Sequence, residues 1–211
     1  MRNAFKAATI LCAATLLSTG CKKTADNTLN YKSAIDTYYV AHPSCLWPQP
    51  IQFPAQVNTS DSSKTAPYDA LFDQGLLTRN ASEKKVLIVA TKRVTNYDLS
   101  DKGRSAWTAD TTQPGFGNFC YGHRTTQSID SALPNSGQPG ATTQVSYHFG
   151  FSGAPVWAQA AETQNAFPQV KDDLANGSAT ATLIDTNNGW QVQPPATNSQ
   201  PVTGADGKIV E

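Results

Sequence analysis

The sequence has few of the groups that carry catalysis. It contains only three histidines, and no G-x-S-x-G, H-E-x-x-H or Walker-type motif occurs in it. This removes the motif-based case for serine hydrolases, zinc proteases and nucleotide-binding enzymes. An excess of one charge is also lacking, because 16 basic residues stand against 16 acidic ones. A chain so close to neutrality gives no electrostatic case for a nucleic acid partner, and we predict neither a cofactor nor a metal site.

Long apolar runs are equally scarce. The longest, Ala7–Leu17, falls well short of the roughly 20 residues that span a bilayer as a helix. It follows the basic residues Arg2 and Lys6 and precedes small residues, which is the pattern of a secretory signal peptide. We therefore expect this N-terminal segment to be removed when the chain is exported.

The end of this segment, L-L-S-T-G-C, resembles the lipobox of bacterial lipoproteins. In that family a diacylglycerol is attached to the cysteine and the peptide is cut just before it. The resemblance therefore implies that residues 1–20 are removed, which leaves a slight acidic excess, and that a lipid on Cys21 holds the protein at a membrane. Ser18 occupies the position at which the family favours leucine. Lys22 replaces the aspartate that retains enteric-type lipoproteins at the inner membrane, so the resemblance implies the outer membrane, facing the periplasm. The alternative is an ordinary cleaved signal peptide with an unmodified cysteine.

Cysteine is limited to four residues. Cys12 would leave with the signal peptide and Cys21 would carry lipid, so Cys45 and Cys120 remain. Two thiols in an oxidising periplasm are most simply interpreted as one disulfide. Two free buried thiols and a metal pair are the alternatives. The metal pair is the weaker one, because the chain has no C-x-x-C and no histidine at ligand spacing to these cysteines.

Helical spacing dominates the first part of the exported chain. Between residues 27 and 43, apolar side chains recur at helical intervals and predict a core-facing stripe of Tyr31, Ile35, Tyr38 and Ala41. Pro43 would end this helix.

A second helix is predicted over residues 65–75, with Thr65 as its cap. Gly75 would end it in the left-handed conformation, which lets Leu76 fold back onto the helix. The polar residues 78–85 are interpreted as a turn and residues 86–99 as a strand, because the latter are rich in β-branched side chains. A short third helix would follow, capped by Ser100.

The fragments Q-G-L-L-T-R-N and Y-D-L-S-D-K-G lie in this region. They resemble the helix end and the closing motif of the winged-helix family, over residues 65–107 at most. The family usually binds DNA, which would require a positive face made of Lys92, Arg93, Lys102 and Arg104. This chain is near neutral and predicted to be exported, and it lacks a basic recognition helix. We therefore expect the architecture without DNA binding.

The last third of the chain has strand patterns. Val145, Tyr147 and Phe149 alternate with polar residues, and Ala179, Ala181 and Leu183 do the same. A helical segment broken at Pro168 lies between them. The predicted fold class is α+β, with helices packed on a small antiparallel sheet and a winged-helix-like middle segment. The predicted organisation is a signal peptide at 1–20, a lipidated tether at 21–26, one globular region at 27–193 made of a 27–112 and a 113–193 part, and a flexible tail at 194–211.

These observations predict a cell-envelope lipoprotein that binds or scaffolds without catalysis, at the periplasmic face of a membrane. Its expected partners are the membrane, through the lipid, and an envelope protein or polymer. The alternative is a periplasmic hydrolase using His123 or His148 with a carboxylate such as Asp130 or Asp185. The four tryptophans are expected to fill the core rather than to line a ligand groove.

Overall fold

The computed structural model describes residues 28–87, 90–135 and 138–194. The predicted signal peptide, Cys21 and residues 195–211 of the predicted tail lie outside the described residues. In chain order the elements are α1 Thr28–Ala41, β1 Ser44–Cys45, β2 Ile51–Gln52, β3 Ala55–Asn58, α2 Ser62–Asp73, β4 Leu77–Leu87, β5 Ala90–Leu99, α3 Asp101–Ala106, β6 Trp107–Ala109, β7 Phe116–Ala132, β8 Thr142–Ser152, α4 Val156–Gln159, α5 Ala161–Ala166, α6 Pro168–Leu174, β9 Gly177–Thr186 and β10 Gly189–Val192.

A large antiparallel sheet is built around β7, a strand of 17 residues. The first half of β7 pairs with β1, β2 and β6, and its second half pairs with β8, from which the order continues to β9 and β10. Gly117 pairs with Ile51 on one side and with Ala109 on the other, so β2 and β6 flank the strand. Antiparallel sheets with packed helices confirm the α+β class.

A second sheet has three antiparallel strands in the order β3-β5-β4. The prediction of a turn at residues 78–85 is wrong, because these residues belong to β4 and pair along its length with β5. The ladder satisfies their backbone groups, while the side chains of residues 78–84 are all exposed. Such a strand lacks the apolar alternation by which a half-buried strand is recognised.

Helix α2 begins earlier than predicted. Its cap is Asp61, not Thr65: the Asp61 carboxylate accepts hydrogen bonds from the Lys64 N–H at 3.2 Å and the Ser63 hydroxyl at 2.7 Å. An aspartate caps a helix better than a threonine does, and this one lies a full turn upstream. As a result Pro67 lies inside the helix rather than in its first turn.

The end of α2 confirms the predicted local structure. Gly75 has a φ of 71°, and the Leu76 N–H donates to the Leu71 carbonyl at 2.9 Å. Both leucines are fully buried. Ser100 caps α3, because its hydroxyl accepts from the Gly103 N–H at 2.9 Å. The wider likeness of this region to winged-helix domains stays a prediction.

Helix α1 packs against both β7 and β10, which are not neighbours in the sheet. The sheet is therefore curled around the helix. Tyr31 and Ile35 are buried as predicted, but Ala41 is exposed and Tyr38 is only half-buried. The stripe that faces the sheet continues through Tyr39 instead, because it follows positions four residues apart.

Two hydrophobic clusters hold these elements together. The first joins β1, β7, α2, the second sheet and helices α4–α6, and the second lies between α1 and the strands β8, β9 and β10. Trp157 and Trp190 are buried members of these clusters, and Trp47 and Trp107 pack against the first from its margin. The expectation that the tryptophans fill the core is met by Trp157 and Trp190, whereas Trp47 and Trp107 are only partly buried.

Candidate functional site

The predicted disulfide between Cys45 and Cys120 is present, with a sulfur–sulfur distance of 2.02 Å. The two residues are directly opposed in the register of β1 and β7. The bond therefore attaches the proline-rich segment after α1 to the central strand of the large sheet.

A cleft of about 530 Å³ opens beside this disulfide. Its walls are mainly apolar and include three prolines of the segment 43–50 together with Trp47 and Tyr121. Asn118, Gln169 and a few other polar groups are spread among them. Mainly apolar walls with a few placed polar groups are typical of ligand sites.

One backbone hydrogen bond, from the Leu46 N–H to the Phe119 carbonyl at 3.0 Å, and several side-chain hydrogen bonds fix the cleft wall between β1 and β2. The Trp47 N–H donates to Asn118 Oδ1 at 3.2 Å, and Asn118 Nδ2 donates back to the Trp47 carbonyl at 2.7 Å. Gln169 Nε2 donates to the Leu46 carbonyl at 2.7 Å. With the disulfide at one end of this segment, these bonds make the cleft a preformed feature.

One end of the cleft carries a half-buried charged group. Asp173 accepts a hydrogen bond from the Tyr121 hydroxyl at 2.8 Å and forms an ion pair with Arg124 at 3.1 Å. Burial, and then the hydrogen bond to Asp173, raise the pKa of Tyr121 well above its usual value. Tyr121 is therefore a neutral donor at physiological pH, and its proton is already committed to Asp173.

Two of the three histidines, His42 and His123, lie against neighbouring residues of the fold. His42 Nδ1 lies 2.7 Å from the Tyr38 carbonyl in the preceding turn, and the two rings stack 4.2 Å apart. His123 lies on β7 opposite Ser152 of β8 and is half-buried.

His148 is the histidine that the structure brings to a carboxylate. Its Nε2 lies 3.2 Å from Asp130 Oδ2, and its Nδ1 lies 2.7 Å from Ser178 Oγ. The sequence predicted His148 and Asp130 as candidates but missed Ser178, because only the strand register places β9 beside β8 here. The His148 side chain is 54% exposed on the open face of the sheet.

The basic residues named for DNA contact are dispersed. Lys92 and Arg93 are exposed on β5. Lys102 instead donates to the Gln74 carbonyl at 2.7 Å, and Arg104 forms an ion pair within its own helix at 2.6 Å. Two of the four cations are thus engaged by neighbouring acceptors.

Within the described ranges, no three potential metal ligands cluster together. None of the helices found there has the length and hydrophobicity needed to cross a bilayer. Comparison of the chain with protein-family models, curated proteins and solved structures found no match.

Proposed function

We propose that this protein is a non-catalytic binding module of the cell envelope, held at the periplasmic face of a membrane by a lipid on Cys21. Its ligand would occupy the cleft beside the Cys45–Cys120 disulfide. The lipobox resemblance supports the anchor. The observation that carries the binding role is the preformed, mainly apolar cleft, whose wall is held by the disulfide and by paired hydrogen bonds.

The chemistry of the cleft favours binding over catalysis. A catalytic site needs a nucleophile or a base within reach of a bound substrate, and no histidine lines this cleft. Its two carboxylates are already engaged: Asp173 accepts from the Tyr121 hydroxyl, and Asp110 accepts from the Thr112 hydroxyl at 2.6 Å. Prolines and aromatic rings with scattered amide groups suit a mainly apolar segment of an envelope protein or polymer.

Site-specific photo-crosslinking in cells tests the cleft. A photoreactive residue at Thr108, in the cleft wall, should give a defined adduct. The same residue at Thr180, on the exposed sheet face, should not. Equal labelling from both positions would contradict a ligand in the cleft.

Cell fractionation tests the anchor separately. Cys21→Ser should move the protein from the membrane fraction to the soluble periplasm, because the lipid would have no attachment point. Cys12→Ser is the matched control and should leave the protein on the membrane. Persistence of Cys21→Ser on the membrane would contradict the lipid anchor without bearing on the cleft.

A second candidate function rests on one specific observation, the contacts of His148 with Ser178 and Asp130. These residue types form the nucleophile, base and orienting acid of hydrolases. Hydrolysis of p-nitrophenyl acetate by the exported chain, abolished by Ser178→Ala and kept by Ser146→Ala, would favour this function. Equal rates for the wild type and Ser178→Ala would exclude Ser178 as a nucleophile. The binding role is the better supported one, because the His148 side chain is 54% exposed on the open face of the sheet.

A further inference from the structure

Strand β10 is the last strand of the large sheet, and helix α1 lies beside its outer edge. In the part of the chain that the structure describes, the strand pairs only with β9. The Gln193 N–H, just beyond β10, donates to the Thr182 carbonyl at 2.8 Å. Backbone groups of an antiparallel strand point alternately to its two sides. The backbone N–H and C=O groups of Gln191 and Gln193 therefore point towards β9. Those of Trp190 and Val192 point to the outer edge.

A groove of about 710 Å³ lies between this edge and helix α1. Helix residues that include Ser33, Thr37 and Tyr38 form one wall, and β10 with its turn forms the other. Every residue that lines the groove is uncharged. The groove shares no residue with the disulfide cleft.

Helix α1 also lies against β7, at the other end of the curled sheet, and there it forms side-chain hydrogen bonds to the strand backbone. Asp36 Oδ1 accepts a hydrogen bond from the Thr126 N–H at 2.7 Å, and Lys32 Nζ donates to the Thr126 carbonyl. Lys32 and Asp36 also form an ion pair with each other, at 2.7 Å. These two side chains take the place of a neighbouring strand along β7. Towards β10, the helix presents the groove instead.

From this contrast we propose that the groove between α1 and β10 binds an extended, uncharged peptide segment of a partner protein, which adds to β10 as a further antiparallel strand. The groups of Trp190 and Val192 have the two-residue repeat of a strand ladder, and an extended main chain matches that repeat. A charged segment is excluded, because the uncharged walls would leave its charge desolvated and unpaired. This site is independent of the proposed ligand cleft.

A phage-displayed library of random ten-residue peptides, selected on the purified exported chain, supplies the probe. Selected peptides should be uncharged and should bind one to one in calorimetry. Amide hydrogen exchange at Trp190 and Val192 should slow when such a peptide binds. The Gln191 amide, already in the ladder with β9, should not change.

Val192→Pro removes the outward N–H without breaking the ladder to β9. It should weaken peptide binding roughly tenfold, the effect of about one hydrogen bond. Val192→Thr keeps the N–H and should bind like the wild type. Thr37→Trp should block the groove, whereas Val40→Trp, at a helix position that is 59% exposed and outside the groove, should not.

Three results would overturn the proposal. One is a library that yields no specific binder. Another is a selected peptide whose affinity is unchanged by both Val192→Pro and Thr37→Trp. The last is slow exchange of the Val192 amide in the free protein. If that protection rises with protein concentration, a second copy covers the edge, and if it does not, the chain covers it by itself.

Discussion

Replacing both cysteines of the disulfide, Cys45→Ala with Cys120→Ala, should destabilise the protein mainly through its unfolded state. The bond joins residues 75 positions apart. In the chain-entropy model, releasing a loop of that length costs about 4.5 kcal/mol at 25 °C. The folded state changes little, because the Leu46 N–H still donates to the Phe119 carbonyl at 3.0 Å and keeps the segment on β7.

Urea unfolding followed by tryptophan fluorescence measures this effect. With a slope of about 2–3 kcal/mol per molar urea, the midpoint should fall by about 2 M. Reduced wild-type protein should unfold at the same urea concentration as the double variant, and Ser44→Ala should behave like the oxidised wild type. A shift of less than about 0.5 M would refute the loop-entropy reasoning. Two free thiols in the unfolded, unreduced exported chain, besides Cys21, would refute the pairing itself.

Asp36→Asn should make the free energy of unfolding decrease less steeply, as the pH falls, than it does in the wild type. Burial raises the pKa of Asp36, but hydrogen bonds from Lys32 and Thr126 outweigh this and hold the pKa below its usual value. The carboxylate therefore stabilises the fold above the unfolded-state pKa of about 3.9, and this is lost as the pH falls through the lower folded pKa. If the urea midpoints of the wild type and the variant change equally with pH between about pH 2 and 6, this prediction is contradicted. Gly103→Ala would place a Cβ 1.9 Å from the Leu76 carbonyl oxygen and should cost about 3 kcal/mol, and an unchanged Tm would contradict that contact.

Features that depend on one helical turn were predictable from the sequence. Gly75 ends α2 and Ser100 caps α3, because each acts through its own backbone conformation or a neighbour three residues away. The start of α2 was mispredicted, because a start at Thr65 would place Pro67 in the first turn, where proline is favoured. Aspartate is the better cap, and the helix begins after Asp61 with Pro67 in its interior.

Features that depend on strand register were not predictable. His148 with Asp130 was one of several possible histidine–carboxylate pairs, and nothing in the sequence linked them to Ser178, which lies 30 positions beyond His148. The residues of β4 were interpreted as a turn, because a hairpin whose polar residues face solvent on both sides has no apolar period.

By itself, the sequence predicted the Cys45–Cys120 disulfide and the α+β class, which the structure contains, and it is the basis of the predicted export and lipid anchor, which stay predictions. Each of these depends on residue type, on order along the chain or on a period of a few residues. Tertiary structure alone decided where the chain can bind. The disulfide cleft needs Asn118 and Gln169 to hold a segment some 70 or more residues away, and the groove beside β10 exists because the sheet curls around α1. Such sites form from contacts between distant segments, and a local sequence pattern does not indicate which distant segments come into contact.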